Sequence, residues 1–163
     1  HIPDSITLTV KYKSAVYYTE IYGKIYLMSD SLRLLGEAGD TDITDLVRLR
    51  LPGVKTAELG GVPILRSKEA KSYLEQITGL VQSSGLNGRI GQIDFRDTYS
   101  LSMVCDGKYL LEFGEYSEVE AKLRIAEAVL RDEMFSSQNK ARINLSNLSE
   151  TSVVVDNQLD LTK

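Results

Sequence analysis

Between Arg89 and Gly114 the apolar residues fall on odd positions: Ile93, Phe95, Tyr99, Leu101, Met103, Tyr109, Leu111 and Phe113. Alternation with period two marks strands that bury one face. The turns must preserve that parity. A three-residue loop over Cys105 to Gly107, with Gly107 left-handed, pairs Met103 with Tyr109, Leu101 with Leu111 and Tyr99 with Phe113. A second three-residue turn, Arg96 to Thr98, pairs Phe95 with Tyr99. The segment therefore predicts a three-stranded antiparallel meander with one apolar face.

Other stretches supply its surroundings. Ile6 to Lys13, Val16 to Tyr22 and Lys24 to Ser29 are strand-like, rich in tyrosine and isoleucine, and predict a small sheet. Residues 30–46 break periodicity, and Val47 to Arg50 is a short strand candidate. Ser67 is the expected N-cap of a first helix whose inner stripe is Ala70, Tyr73, Leu74, Ile77, Leu80 and Val81, with Gly85 as its stop. A second helix is expected to start at a Ser117/Glu120 capping box and end near Phe135. Its stripe is Val119, Leu123, Ala126 and Leu130, widened by Ile125 and Val129. Two amphipathic helices and one exposed apolar sheet face predict that both helices lie on that face. Two further strands, Ala141 to Asn147 and Ser152 to Asp156, close the chain, and the last residues, NQLDLTK, read as frayed.

Composition narrows the function. The 163 residues suit one domain or slightly more, and the net charge of -4, with no basic stripe, argues against nucleic acid as the main partner. No apolar run approaches the roughly 18 residues of a membrane span. The abrupt start at Ile2-Pro3-Asp4 reads as a fragment whose upstream context has been removed. His1 is the sole histidine, so histidine-based catalysis is not expected. Cys105 is the sole cysteine, placed in a hairpin turn without an activating partner. Asp40, Asp42 and Asp45 hint at a calcium loop but lack the glycine and distant glutamate of an EF-hand, so a solvated loop is expected. No carboxylate pair stands out for hydrolysis, and no glycine run fits a phosphate cradle. Neither a metal nor a cofactor is expected. What remains is binding through a surface, and the terminal all-valine strand is the candidate. A chain-terminal strand is often an edge, with unpaired main-chain groups that template a partner strand.

The order of these elements resembles a known family. Pro3-Asp4-Ser5 leading into ITLTVKYKSAVYY, then YGKIYLMSDSLRLLG, a helix, RIGQIDFRDTYSLSMVCDGKYLLEFG, a second helix and ARINLSNLSETSVVVD resemble the extracytoplasmic part of the FtsQ/DivIB cell-division family. The resemblance spans about residues 3 to 156. It implies an α+β fold: an antiparallel-rich sheet with two helices on one face, preceded by a strand-rich remnant of a POTRA domain. The implied organisation is residues 1–35 as the end of that POTRA domain, 36–156 as the family's β domain and 157–163 as a flexible tail. It also implies a non-enzymatic scaffold outside the bacterial cell membrane, held by an upstream transmembrane helix. The implied partners are bitopic division proteins like FtsB (DivIC) and FtsL, received by strand addition. Carried over by position, the surface is Asn147, Leu148, Ser149, Glu150, Thr151, Ser152, Val153 and Val154. The aromatic anchors of some relatives have no counterpart at Asn147 or Val154, so the implied contact is through the main chain. The alternative is a cell-envelope ligand-binding or carboxylate-dependent hydrolytic domain near Asp40 to Asp45.

Overall fold

A computed structural model describes residues 14–131 and 139–161. The strand expected over Ile6 to Lys13 and the helix end expected near Phe135 lie outside these residues. The chain forms an α+β fold; the described residues hold two helices and a large, mostly antiparallel sheet. Its strands are β1 (Tyr17–Ile21), β2 (Lys24–Met28), β3 (Leu34–Glu37), β4 (Val47–Arg50), β5 (Val54–Thr56), β6 (Ile64–Leu65), β7 (Ile90–Asp94), β8 (Leu101–Cys105), β9 (Tyr109–Gly114), β10 (Ala141–Asn144) and β11 (Ser152–Val155). The helices are α1 (Lys68–Ser83) and α2 (Val119–Arg131). Nine strands make one sheet in the order β11-β10-β9-β8-β7-β4-β1-β2-β3, and β5 pairs with β6 apart from it.

Three neighbouring pairs are parallel: β1 with β4, β4 with β7, and β9 with β10. Parallel neighbours need a crossover, because a tight turn cannot return the chain to the same end of the sheet. α1 lies in the crossover from β4 to β7, and α2 in that from β9 to β10. Crossovers of one hand put their helices on one side of the sheet, so the apolar face is roofed and, among the described residues, the other carries no helix. The N-cap prediction for α1 is met: Ser67 Oγ accepts from the Ala70 N–H at 3.1 Å. The two helices are tied where α1 ends, since the Gly85 N–H donates to Glu127 Oε1 at 2.7 Å.

The core runs across the sheet in registered rows. Leu49, Ile93, Met103, Leu111 and Ile143 are successive cross-strand partners, each 0% exposed. They face α1 and α2, whose buried residues include Leu74, Ile77 and Val81 on one and Val119, Leu123 and Ala126 on the other. Each such side chain contributes roughly 1.5–3 kcal/mol by leaving water. Tyr17, Ile21, Met28 and Leu34 belong to the same core. β1 to β3 are thus the outer part of the nine-stranded sheet rather than a small sheet of their own.

Several local expectations need correction. The odd-with-odd parity of the meander holds in mid-strand and breaks at bulges where Leu101 meets Gly114 and Ile90 meets Cys105; the register also differs, with Met103 facing Leu111 and Cys105 facing Tyr109. The turn is Asp106 to Lys108, and Asp106 joins Gly107 in the left-handed region, at φ 52° and 66°. Arg89 grips the Asp106 carboxylate with Nε at 3.2 Å and Nη2 at 2.6 Å, which holds that conformation. Cys105 is therefore the last residue of β8, fully buried.

Tyr99 is not a core residue; it is 78% exposed. The β7–β8 connection runs longer than three residues. Asp97 arrests it by accepting from the Tyr99 N–H at 2.9 Å through its side chain and from the Ser100 N–H at 3.1 Å through its carbonyl. α2 does not use the expected capping box. Glu118 has φ 54°, and Glu120 reaches forward to Arg124 instead of back to Ser117. The chain end is also less frayed than its polarity suggests. Leu159 is 4% exposed, and its carbonyl accepts from Lys140 Nζ at 3.0 Å.

Candidate functional site

β11 is one edge of the nine-stranded sheet, reached by the short turn that follows β10. That turn is built by asparagine side chains bonding to nearby main chain, as Asn does where a chain must bend. Asn144 Oδ1 accepts from the Ser146 N–H at 2.9 Å and from Ser146 Oγ at 2.6 Å. Asn147 Oδ1 accepts from the Ser149 N–H at 3.0 Å, opening a single 3-10 turn over Leu148–Glu150. Gly114, at the end of β9, lies directly beneath: a Cβ there would sit 2.8 Å from Ser146 Cβ. Thr151 leads into β11, and its Oγ1 is shielded from solvent with no hydrogen-bond partner among the described residues.

β11 pairs with β10 antiparallel, Val153 opposite Ile143 and Val155 opposite Ala141. In such a pair, alternate residues exchange both main-chain bonds, and the ones between turn their N–H and C=O away. The Asp156 N–H donates to the Lys140 carbonyl at 3.0 Å, which fixes the phase. Ser152 and Val154 therefore point their main-chain groups into the sheet. Val153 and Val155 point theirs outward, past the last strand.

The side chains extend the same logic. The core row ending in Ile143 continues to Val153, and the Cys105–Tyr109–Ala141 row continues to Val155. Yet Val153, Val154 and Val155 are 36%, 56% and 57% exposed. The core stripe thus runs off the edge of the sheet uncovered. The opposite edge is closed at Leu34. There the Leu34 N–H donates to the Gly61 carbonyl at 2.9 Å, and the Leu34 carbonyl accepts from the Gly60 N–H at 2.7 Å. Arg33 Nη1 reinforces that loop by donating to the Gly60 carbonyl at 2.9 Å.

All eight residues carried over from the sequence, Asn147 to Val154, fall on this turn and edge strand, but they divide by role. Asn147 to Thr151 shape the approach, and Val153 carries outward main chain. Val155 completes the outward set and was missed. Once Val153 faces outward, the two-residue period requires Val155 as well.

Two other sequence candidates, Asp42 and Cys105, have roles of their own. Asp42 Oδ2 accepts from the Gly39 N–H at 3.0 Å, within its own turn. Burial, aided by the Asp106 carboxylate, pushes the Cys105 thiol up to about 12. It is a thiol, not a thiolate, at neutral pH. No protein-family model matches the chain, and a search of curated proteins finds no similar sequence.

Proposed function

We propose that this chain is a non-enzymatic scaffold of the FtsQ/DivIB type, acting on the outer side of the bacterial cell membrane and receiving a partner segment as an added strand on β11. The observation that carries the reading is the edge left uncovered among the described residues: outward main chain at Val153 and Val155, whose exposed side chains continue buried core rows. An edge of this kind is a liability unless something pairs with it. The closed edge at Leu34 leaves β11 as the favoured place for addition. The ordered likeness of the sequence segments to the division family supplies the biological reading. Its partners are then FtsB/DivIC-like and FtsL-like bitopic proteins, each bringing a short extracytoplasmic segment. No helix among the described residues is long and apolar enough to cross a membrane, so anchoring falls to an upstream segment in this reading.

The test uses Val153→Pro. Proline deletes an outward N–H and places its ring where an added strand would lie, about 4.8 Å from β11. The ladder to β10 keeps its bonds, because Val154 supplies the inward group. Calorimetric titration with the extracytoplasmic segment of the source organism's FtsB/DivIC-like protein should give saturable binding. The variant should bind about tenfold more weakly or worse, from one lost main-chain bond plus the steric conflict. Equal affinity for variant and wild type would refute strand addition at this edge.

A further inference from the structure

The open face of the sheet, opposite the helices, carries a separate feature. Leu49 of β4 is buried beneath the helices, so its neighbours Arg48 and Arg50 both project to the open face, about 7 Å apart along the strand. Parallel pairing sets Arg50 beside Asp94 and Arg48 beside Gln92. Arg96 approaches from the loop after β7, and Glu20 from β1. Glu20, Arg48, Leu49, Arg50, Leu51 and Arg96 line a cleft of about 150 Å³, with the Asp94 carboxylate next to it, 3.2 Å from Arg50 Nη1.

The charges in this cleft do not balance. Three guanidinium groups and one carboxylate, Glu20, line it; counting the adjacent Asp94 still leaves one positive charge in excess. The sharing is more uneven than the count. Asp94 is spent on Arg96, accepting from Nε at 3.0 and 3.1 Å, from Nη2 at 2.7 Å and from the main-chain N–H at 3.1 Å. Arg50 Nη1 lies 3.2 Å from Asp94 Oδ2 but off the hydrogen-bonding direction, and it has no hydrogen-bond partner among the described residues. Glu20 is largely exposed, and its carboxylate is 3.9 Å from Arg48, too far for a hydrogen bond. Burial pulls the Arg50 guanidinium down from its ordinary range. Asp94 opposes that shift, and the charges of Arg96 and Arg48 add to it. A largely buried guanidinium with unused donors is costly unless an acceptor is supplied.

We propose that Arg48 and Arg50 form an oxyanion-binding site that takes a single carboxylate or phosphate group in this cleft, while Arg96 neutralises Asp94 and keeps it from competing. The planar forks of two arginines on one strand face suit an acceptor with two or more oxygens. The site is independent of strand addition at β11.

The experiment titrates the intact chain with sodium phosphate and, separately, sodium acetate, against sodium chloride at matched ionic strength and pH 7. Arginine side-chain Nε–H resonances and the melting temperature are followed. Saturable shifts at Arg48 and Arg50, with a higher melting temperature than in chloride, are expected with at least one oxyanion. A stronger response to phosphate identifies a phosphate group as the ligand; a stronger response to acetate identifies a carboxylate, as on an acidic side chain. Arg48→Gln, at the rim, should weaken binding about tenfold. Arg142→Gln, an arginine of the same face paired instead with Glu112, should leave it unchanged. The proposal is overturned if chloride matches both oxyanions, or if Arg48→Gln titrates like Arg142→Gln.

Discussion

Lys122→Met keeps the apolar stem of a side chain that is 1% exposed in α2 and deletes its ammonium group. In the wild-type chain, Nζ donates to the Phe113 carbonyl at 2.8 Å and to the Glu115 carbonyl at 3.2 Å. These two carbonyls lie where β9 leaves the sheet, so the lysine pins α2 to the strand that feeds the β9–α2–β10 crossover. Replacing a buried ion together with its partners is often neutral, but here the acceptors stay behind. A buried acceptor left without a donor costs roughly 1–3 kcal/mol; relief of the buried charge offsets part of that. The expected net loss is about 2 kcal/mol at pH 7, or roughly 4–8 °C in a chain of this size.

The same group gives a pH signature. Burial pulls the ammonium down from its ordinary 10.5, against the raising influence of Glu115 and Glu118. The unfolded chain then holds this proton more tightly than the folded one. Stability contributed by Lys122 therefore rises with pH between the folded value and 10.5. Tyr17 and Tyr116, held above 10.0 by burial, lose stability over an overlapping range as pH rises. The difference between wild type and variant isolates the lysine. Urea unfolding followed by circular dichroism at pH 7, 8.5 and 9.5 should show a gap that widens with pH. A variant as stable as wild type at pH 7, or a gap that narrows with pH, would refute the argument.

Two further outcomes follow from other elements. Gly114→Ala should cost about 2–3 kcal/mol in denaturant unfolding: φ is +69°, and the new Cβ would meet Ser146 Cβ at 2.8 Å, displacing the turn into β11. A cost under about 0.5 kcal/mol would show that the β9–β10 approach is looser than described. Cys105 should react with a thiol reagent at pH 7 only as fast as the protein opens, because burial holds the thiol up at about 12; rapid stoichiometric labelling in native buffer would contradict its burial.

Local signals in the sequence reached as far as local physics does. The odd-position stripe from Ile93 to Phe113 marked the buried face of β7 to β9. Ser67 marked a helix start, and the amphipathic stripes marked which helix faces turn inward. Register was harder, because it depends on which residues tolerate positive φ. Gly107 was visible as such a residue, whereas Asp106 takes that shape with its carboxylate gripped by Arg89, from the turn that precedes β7. Tyr99 matched the stripe by parity, but Asp97 turns the chain before it can pair. The β1–β4–β7 parallel pairing joins segments separated by dozens of residues, and no period in the chain encodes it. The arginine cleft was hidden for that reason. The alternation Arg48-Leu49-Arg50 shows two cations on one strand face, but only the parallel pairing brings Asp94 and Arg96 beside them. The edge was legible as a terminal all-valine strand, although its outward residues, Val153 and Val155, needed the phase of the Asp156–Lys140 bond.

Amide hydrogen exchange resolved to single residues, with and without a saturating FtsB/DivIC-like segment, tests the docking edge most directly. New protection is expected at the amides of Val153 and Val155. Ser152, Val154 and Asp156, already turned toward β10, should change little. A bound complex that leaves the Val153 and Val155 amides exchanging as in the free protein, or that protects the Leu34 edge instead, would contradict it.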